Sequence, residues 1–413
     1  MLVHRIPYPP HTGDKTRAFH IARYLARHHD LTLAFLVDER ADLSGIAPLG
    51  EVVGEVEFAR LWKPWSLVKG VAGLAAGGAL SVPYFRSRRL ARRLGRRAAA
   101  RSYDLVYASS TPMAQYARTF GCPVVMDFVD VDSDKWRQYS DHHRPPLSWL
   151  YRTEGRRLQA AEADIAQWAG LCLLATAAEE TLLRSFAPWA RTAVIPNGID
   201  LAYYAPGPTV PGQPAVLFTG AMDYLPNVDA VTHFCADILP RVRWEIPDTK
   251  FYIVGLNPSP AVLRLAKIPG VTVTGAVADV RPYYARACVC VAPLRIGRGV
   301  QNKVLQGMAM GLPVVASTLA GRGIGAEPTR HLEIADEPAD FAARVVRLLK
   351  SPGDRRALGR GGRAFVEANY AWERSLIRME PLLHELTGAG NEPRPRQEQG
   401  MRLSPRYPGR LRR

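Results

Sequence analysis

The sequence predicts an α/β protein made of two doubly wound parallel-sheet domains, and three observations carry that expectation. At 413 residues the chain exceeds what one core ordinarily organises. A strand, a glycine turn and a helix open each half, first at Gly13 and again at Gly220. Residues 292–318, APLRIGRGVQNKVLQGMAMGLPVVAST, read as the end of one strand, a polar loop, a helix and a second strand, a complete βαβ unit.

Taken in order, the opening MLVHRIPYPPHTGDKTRAFHIARYLARHH gives a short strand, the turn at Gly13, and a helix in which Ile21, Tyr24 and Leu25 keep helical spacing. The first strand is short for a central position, which suggests that the chain begins further upstream. Lys15 and Arg17 either lend charge to a phosphate at this turn or stand solvated at the helix start. Strands follow at 31–38 and 104–111, and residues 123–136 are a strand running into an acidic loop, with Asp127, Asp130, Asp132 and Asp134. Their spacing lacks the closing glutamate of a calcium loop, so no metal is expected there. A long helix at 147–168 carries Arg and Glu on its outer side, a strand and helix begin at Leu171, and residues 191–206 form a strand that ends at the Asn197-Gly198 turn.

A linker, GPTVPGQP, separates this first domain, 1–200, from a second expected over 210–370. The second domain repeats the plan, with a strand from Ala215 running into a glycine turn and a helix start, a strand with a glycine turn at 251–257, two strands within 271–294, the second at 289–293, and a last one at 314–317. A terminal helix over 371–387 is expected to cross back to the first domain, and the basic tail 388–413 to be disordered. In the 300–308 helix Val300, Val304, Leu305 and Met308 form one apolar face, which leaves Asn302, Lys303 and Gln306 together on another. Arg298 and Gly299 precede it, where unpaired backbone N–H groups favour an anion. The residues by themselves read either as a diphosphate site or as an ordinary amphipathic helix.

RGVQNKVLQGMAMGLPVVAS resembles the signature of the retaining GT-B glycosyltransferases of the group-one type, family four. The resemblance implies two Rossmann-like domains facing a cleft, a nucleotide-diphosphate-sugar donor, retention of configuration, and no metal or other cofactor. Such enzymes carry two acids eight residues apart, one near the donor sugar and one on the ribose; here Arg298 and Gln306 occupy those positions. The RGVQNK run is similar to a subgroup associated with exosortase and PEP-CTERM systems and with exopolysaccharide synthesis, and Gln306 departs even from that subgroup. VIPNGID resembles the passage between the two domains. PYPPHTGDKTR is similar to the donor-facing loop, which gives Gly13, Lys15 and Arg17 as donor contacts. DFVDVDSDKW offers Asp127 and Asp130 for sugar or acceptor hydroxyls, or alternatively for capping and loop hydrogen bonds. VTVTGAVADV resembles the nucleobase-reading turn, which assigns Gly275 and Val277. After Gly220, Asp223 and Asn227 stand where many relatives have an arginine and a lysine on the diphosphate. Positive charge is therefore expected from Arg298 and Lys303 as catalytic groups, with Gly299 and Asn302 beside them, or from Lys15 and Arg17 across the cleft.

The formal charge of +16 is concentrated in two segments. Residues 86–101 hold eight arginines and no acid, and the tail from 388 holds seven arginines against two glutamates, so the remainder is near neutral. With no aromatic–basic interleaving on a sheet, specific nucleic-acid binding is not expected. Trp62, Trp65, a glycine-rich apolar stretch and the arginine run instead make residues 62–101 an expected contact with an anionic membrane surface; the alternative is a solvated helix packing Leu90 and Leu94 inward. No stretch reaches the ~18 to 20 apolar residues of a membrane span and no signal peptide is evident. Five cysteines without framework spacing point to a reducing compartment, with Cys288 and Cys290 as core thiols. The expected protein is a cytoplasmic, peripheral sugar transferase acting on a lipid-linked or polysaccharide acceptor. A GT-B epimerase or phosphorylase would need acid/base groups or a cofactor lysine that the second domain does not offer. A catalytically silent scaffold of the same fold is the alternative that Gln306 motivates.

Overall fold

Two separate parallel sheets account for every strand of the chain's described residues, 1–10, 13–39, 41–141, 143–207, 213–297 and 300–388 of a computed structural model. The expectations for Arg298, Gly299 and the tail beyond Gly388 lie outside those residues. Among the described residues the first unit comprises Met1–Pro196 and residues 376–388, and the second comprises Asn197–Ser375.

In the first unit the strands are β1 (Leu2–Val3), β2 (Thr32–Val37), β3 (Glu55–Arg60), β4 (Val106–Ser109), β5 (Val124–Val129), β6 (Leu171–Leu174) and β7 (Thr192–Val194). They are ordered β3-β2-β1-β4-β5-β6-β7 and every pair is parallel. β2 and β6 are buried on both faces, which is why they read as continuous apolar runs without alternation. β1 has two residues although it lies at the centre. Prolines at 7, 9 and 10 lack the N–H a longer ladder needs, and beyond Val3 the Ile6 N–H extends the pairing, to the Leu36 carbonyl at 3.1 Å. The sequence reading missed β3, an edge strand whose EVEFAR mixes charged and apolar residues. It also took as loop what is the helix Asp132–Asp141, whose acidic first turn suits the helix dipole.

The second unit contains β8 (Ala215–Thr219), β9 (Lys250–Val254), β10 (Val271–Val273), β11 (Val289–Ala292), β12 (Val314–Ala316) and β13 (Glu333–Ile334). Their order is β10-β9-β8-β11-β12-β13, again all parallel. Strand order reverses between β1 and β4 in one sheet and between β8 and β11 in the other. In doubly wound sheets the crevice outside the strand C-termini at such a reversal is where ligands sit.

The expected terminal helix is broken into Trp372–Leu376, a 3₁₀ turn Ile377–Met379 and Glu380–Thr387. Its first part belongs to the second unit, where the Ile199 N–H donates to the Tyr370 carbonyl at 2.7 Å. Its last part packs on the first unit, with His29 against the Glu380 carboxylate at 3.2 Å.

Candidate functional site

Because every strand of the second sheet is parallel, Gly220, Gly255, Gly275 and the loop after β11 all emerge at its C-terminal edge. Backbones crowd there. A Cβ on Gly255 would lie 1.6 Å from the Gly220 carbonyl oxygen, so any side chain would force β8 and β9 apart. The loop leaving β11 is held by Ser317, whose hydroxyl donates to the Leu294 carbonyl at 2.7 Å, and by Arg295, which pairs with Asp229.

The helix Asn302–Ala309 then returns along the sheet. Val304, Leu305 and Met308 are buried, and Gly307 lets the helix approach so closely that an added Cβ would meet Val314 at 2.9 Å and Cys290 at 3.1 Å. This docking leaves Asn302, Lys303 and Gln306 half-buried on the other side. The Lys303 ammonium lies 5.5 Å from the Phe218 ring centre and donates to the Gln301 side-chain oxygen at 3.0 Å. Among the described residues no carboxylate forms an ion pair with it, and burial pulls it down to about 8. Beside it the Asn302 side-chain oxygen is buried without a hydrogen-bond partner among the described residues. The result is a cation whose neighbours among the described residues are neutral, on a helix that starts at the edge of the sheet, where an anion would relieve its desolvation.

Gln306 accepts from the Tyr284 hydroxyl at 3.3 Å, and that hydroxyl lies 3.0 Å from the Thr219 hydroxyl. Burial pushes Tyr284 well above its ordinary value, so it stays a neutral donor. The oxygen expected to meet a ribose therefore has one of its two lone pairs engaged. Gly275 follows β10 with φ +67° and open space around it, while Val277 is half-buried against the core. Tyr284, Thr219 and Phe218 were not foreseen; in sequence they are indistinguishable from the apolar strands and helix around them.

The first-unit residues divide differently. Gly13 opens the helix Gly13–His28 and is exposed, as a turn meeting a ligand requires. Lys15 is bound to both oxygens of Asp42, at 3.1 and 3.0 Å. Arg17 and Asp127 correct the sequence reading: they are 1% and 0% exposed and hold each other. The guanidinium donates to both Asp127 oxygens at 2.9 and 3.0 Å and to the Ile195 carbonyl at 2.8 Å, and Tyr107 donates to Asp127 at 2.7 Å. Burial disfavours the Arg17 charge, and Asp127 more than restores it. Their chemistry is that of a satisfied internal brace, because a charged pair this deep is stable only when fully hydrogen-bonded.

Asp130 is different. The β5–β6 register shifts between Asp127 and Val129, and Val129 has φ +68°, a strained value for a β-branched residue. The next residue, Asp130, is thereby turned out of the buried ladder and is half-buried. Burial, then the neighbouring Glu179 and Asp132 charges, push it up to about 7. A carboxyl that titrates near neutrality at a strand's C-terminal end is suited to exchange a proton with a hydroxyl. Among the described residues no group of three or more His, Cys, Asp or Glu is arranged to hold a metal ion.

Comparison with known proteins identifies the family and the fold. Residues 12–198 match the family described as "Glycosyl transferase 4-like domain", and residues 213–351 match "Glycosyl transferases group 1". Sucrose-phosphate synthase from Thermosynechococcus elongatus has a similar fold, with a TM-score of 0.69 at 19% identity over 94% of this chain and 99% of that one. Anabaena HepE, solved in complex with UDP-glucose, gives 0.64 at 15% identity over 93% and 99%. A Klebsiella pneumoniae protein described as an uncharacterized 44.6 kDa protein in the cps region is 23% identical over 163 residues, which is 38% of this chain and 42% of that protein. The fold is GT-B, two parallel-sheet α/β domains, and the chain belongs to the group 1 glycosyl transferases.

Proposed function

We propose that the protein is a retaining glycosyltransferase that moves a sugar from a nucleotide-diphosphate-sugar donor to a lipid-linked saccharide during exopolysaccharide assembly. Lys303 carries the reading: a half-buried cation with neutral neighbours, at the C-terminal edge of the second sheet where strand order reverses. In transfer the bond between the sugar and the β-phosphate oxygen breaks, and its electron pair stays on the departing diphosphate. Negative charge at that oxygen grows toward the transition state, so a pre-placed ammonium stabilises the transition state more than the ground state. Gly275 and Val277 would receive the base, Asn302 a sugar or ribose hydroxyl on its unpartnered oxygen, and Gln306 the ribose. Arg298 and Gly299 would complete the diphosphate grip, and Gly13 and Asp130 would serve the sugar and acceptor. No metal is required by this scheme.

HepE, a protein of similar fold, binds UDP-glucose, and the Klebsiella relative is described by its cps region. Both favour a nucleotide sugar and a polysaccharide product. Membership of the exosortase-associated subgroup rests on RGVQNK alone. A cytoplasmic protein held peripherally at the inner face of the membrane fits a lipid-linked acceptor; among the described residues no helix is long and apolar enough to cross a membrane. The test is incubation of purified protein with a panel of nucleotide sugars, with and without membrane extract, reading released nucleoside diphosphate. Acceptor-dependent release supports the proposal. Gln306 favours a second reading, a silent scaffold, for which diphosphate would bind but never be released.

A further inference from the structure

The helix Lys63–Ala75 is built inside out. Its buried positions are small, Ser66 and Gly70, and Gly73 is so close to the neighbouring Pro83 ring that an added Cβ would lie 2.3 Å from it. Its large apolar side chains face solvent: Trp65 is 57% exposed, Leu67 55%, Val68 53% and Val71 54%, with Trp62 at 70% just before the helix. A surface of this kind on a soluble domain marks a contact with something apolar. The segment is firmly fixed in the first unit. Glu154 accepts from the Ser81 N–H at 3.0 Å and its hydroxyl at 2.9 Å, and Arg157 donates to the Leu74 and Gly78 carbonyls.

What covers it is indicated by its neighbour. Lys69, from the middle of this helix, donates to the Arg86 carbonyl, which leads into the helix Arg88–Ala100. There Leu90 and Leu94 are buried, so the alternative inward packing of these leucines is realised while the arginines remain outside. Arg93 and Arg97 pair with Glu57, but Arg88, Arg89, Arg92 and Arg96 are exposed and have no ion-pair partner among the described residues. Apolar side chains with two tryptophans, adjoining unneutralised arginines, match the acyl boundary and the anionic headgroups of one leaflet.

We propose that this is a two-part lipid-docking device: Trp62, Trp65, Leu67, Val68 and Val71 enter the headgroup–acyl boundary while Arg88, Arg89, Arg92 and Arg96 bind lipid phosphates. The inference deepens the proposed action on a lipid-linked acceptor by assigning the leaflet contact to named residues of the first unit. Its two parts respond differently. Arginine attraction falls with salt and with neutral lipid, whereas insertion of the apolar face does not.

The test is flotation of the full chain with vesicles of phosphatidylcholine alone and with about one third phosphatidylglycerol. Binding to the mixed vesicles is expected, weakened by salt and by removing the anionic lipid. Each Arg→Ser change at 88, 89, 92 or 96 is expected to lower partitioning about fivefold. Trp65→Ser with Val68→Ser is expected to remove the salt-resistant fraction, and an unchanged circular-dichroism melt shows that these surface variants fold. Wild-type protein that stays with the soluble fraction, or binding unaffected by both sets of changes, overturns the proposal. Diphosphate release with a water-soluble saccharide acceptor, measured without vesicles, judges the transferase reading separately.

Discussion

Arg17 and Asp127 lie 110 residues apart in sequence and meet in the first unit through two parallel hydrogen bonds, 2.9 and 3.0 Å long. Each was a plausible ligand contact when read from sequence, and together they form a brace between the first helix and β5. Arg17→Met leaves the Asp127 charge buried with Tyr107 as a remaining donor, which is expected to cost about 3–5 kcal/mol of stability. Chemical denaturation checks this. UDP affinity of the folded variant should be unchanged, because the brace belongs to the other unit from Lys303.

Lys303 gives a pH dependence with a definite sign. Burial lowers it to about 8 in the free protein, and a bound diphosphate raises it again. Nucleoside-diphosphate affinity should therefore be level below pH 8 and fall up to tenfold per pH unit above it. Calorimetry near pH 8 in buffers of different ionisation enthalpy should show proton uptake on binding. Lys303→Arg, which stays charged, should remove both effects.

Asp130 has a folded-state value of about 7 against an ordinary 3.8, so the folded protein holds this proton more tightly than the unfolded chain. The ionised carboxylate costs stability as pH rises from about 4 to 7, and the cost is fully present above 7. Asp130→Asn should raise the melting temperature at pH 8 and leave it unchanged near pH 3. If Asp130 also serves the acceptor, the variant loses transfer while keeping UDP affinity.

Gln306→Glu restores a carboxylate where the family resemblance expects one, 3.3 Å from the Tyr284 hydroxyl. A charged acceptor strengthens a ribose hydrogen bond by roughly 1 kcal/mol over a neutral one, so UDP should bind about fivefold more tightly. The gain should vanish for 2′,3′-dideoxyuridine diphosphate. Appearance of turnover only in the variant would favour the silent-scaffold reading of the natural chain.

The fold was legible because buried parallel strands such as Ala215–Thr219 are uninterrupted apolar runs, and because glycine turns follow strands such as β8, β9 and β10, at Gly220, Gly255 and Gly275. β3 was not legible, since an edge strand with Glu55, Glu57 and Arg60 alternates too weakly to separate from a loop. At the site, helical spacing put Asn302, Lys303 and Gln306 on one side of their helix, and all three are half-buried there. It gave no means of telling that Arg17 and Asp127 would find each other, because a partner 110 residues away leaves no local trace. Tyr284 beside Gln306 was hidden for the same reason.

Lys303→Ala, assayed by isothermal titration with UDP and by diphosphate release, tests the grip on the diphosphate most directly. A loss of about a hundredfold in affinity is expected, some 3 kcal/mol for a desolvated charged contact, with transfer abolished and the melting temperature no lower than that of the natural protein. Affinity and rate equal to those of the natural chain, in a variant that folds, would contradict it.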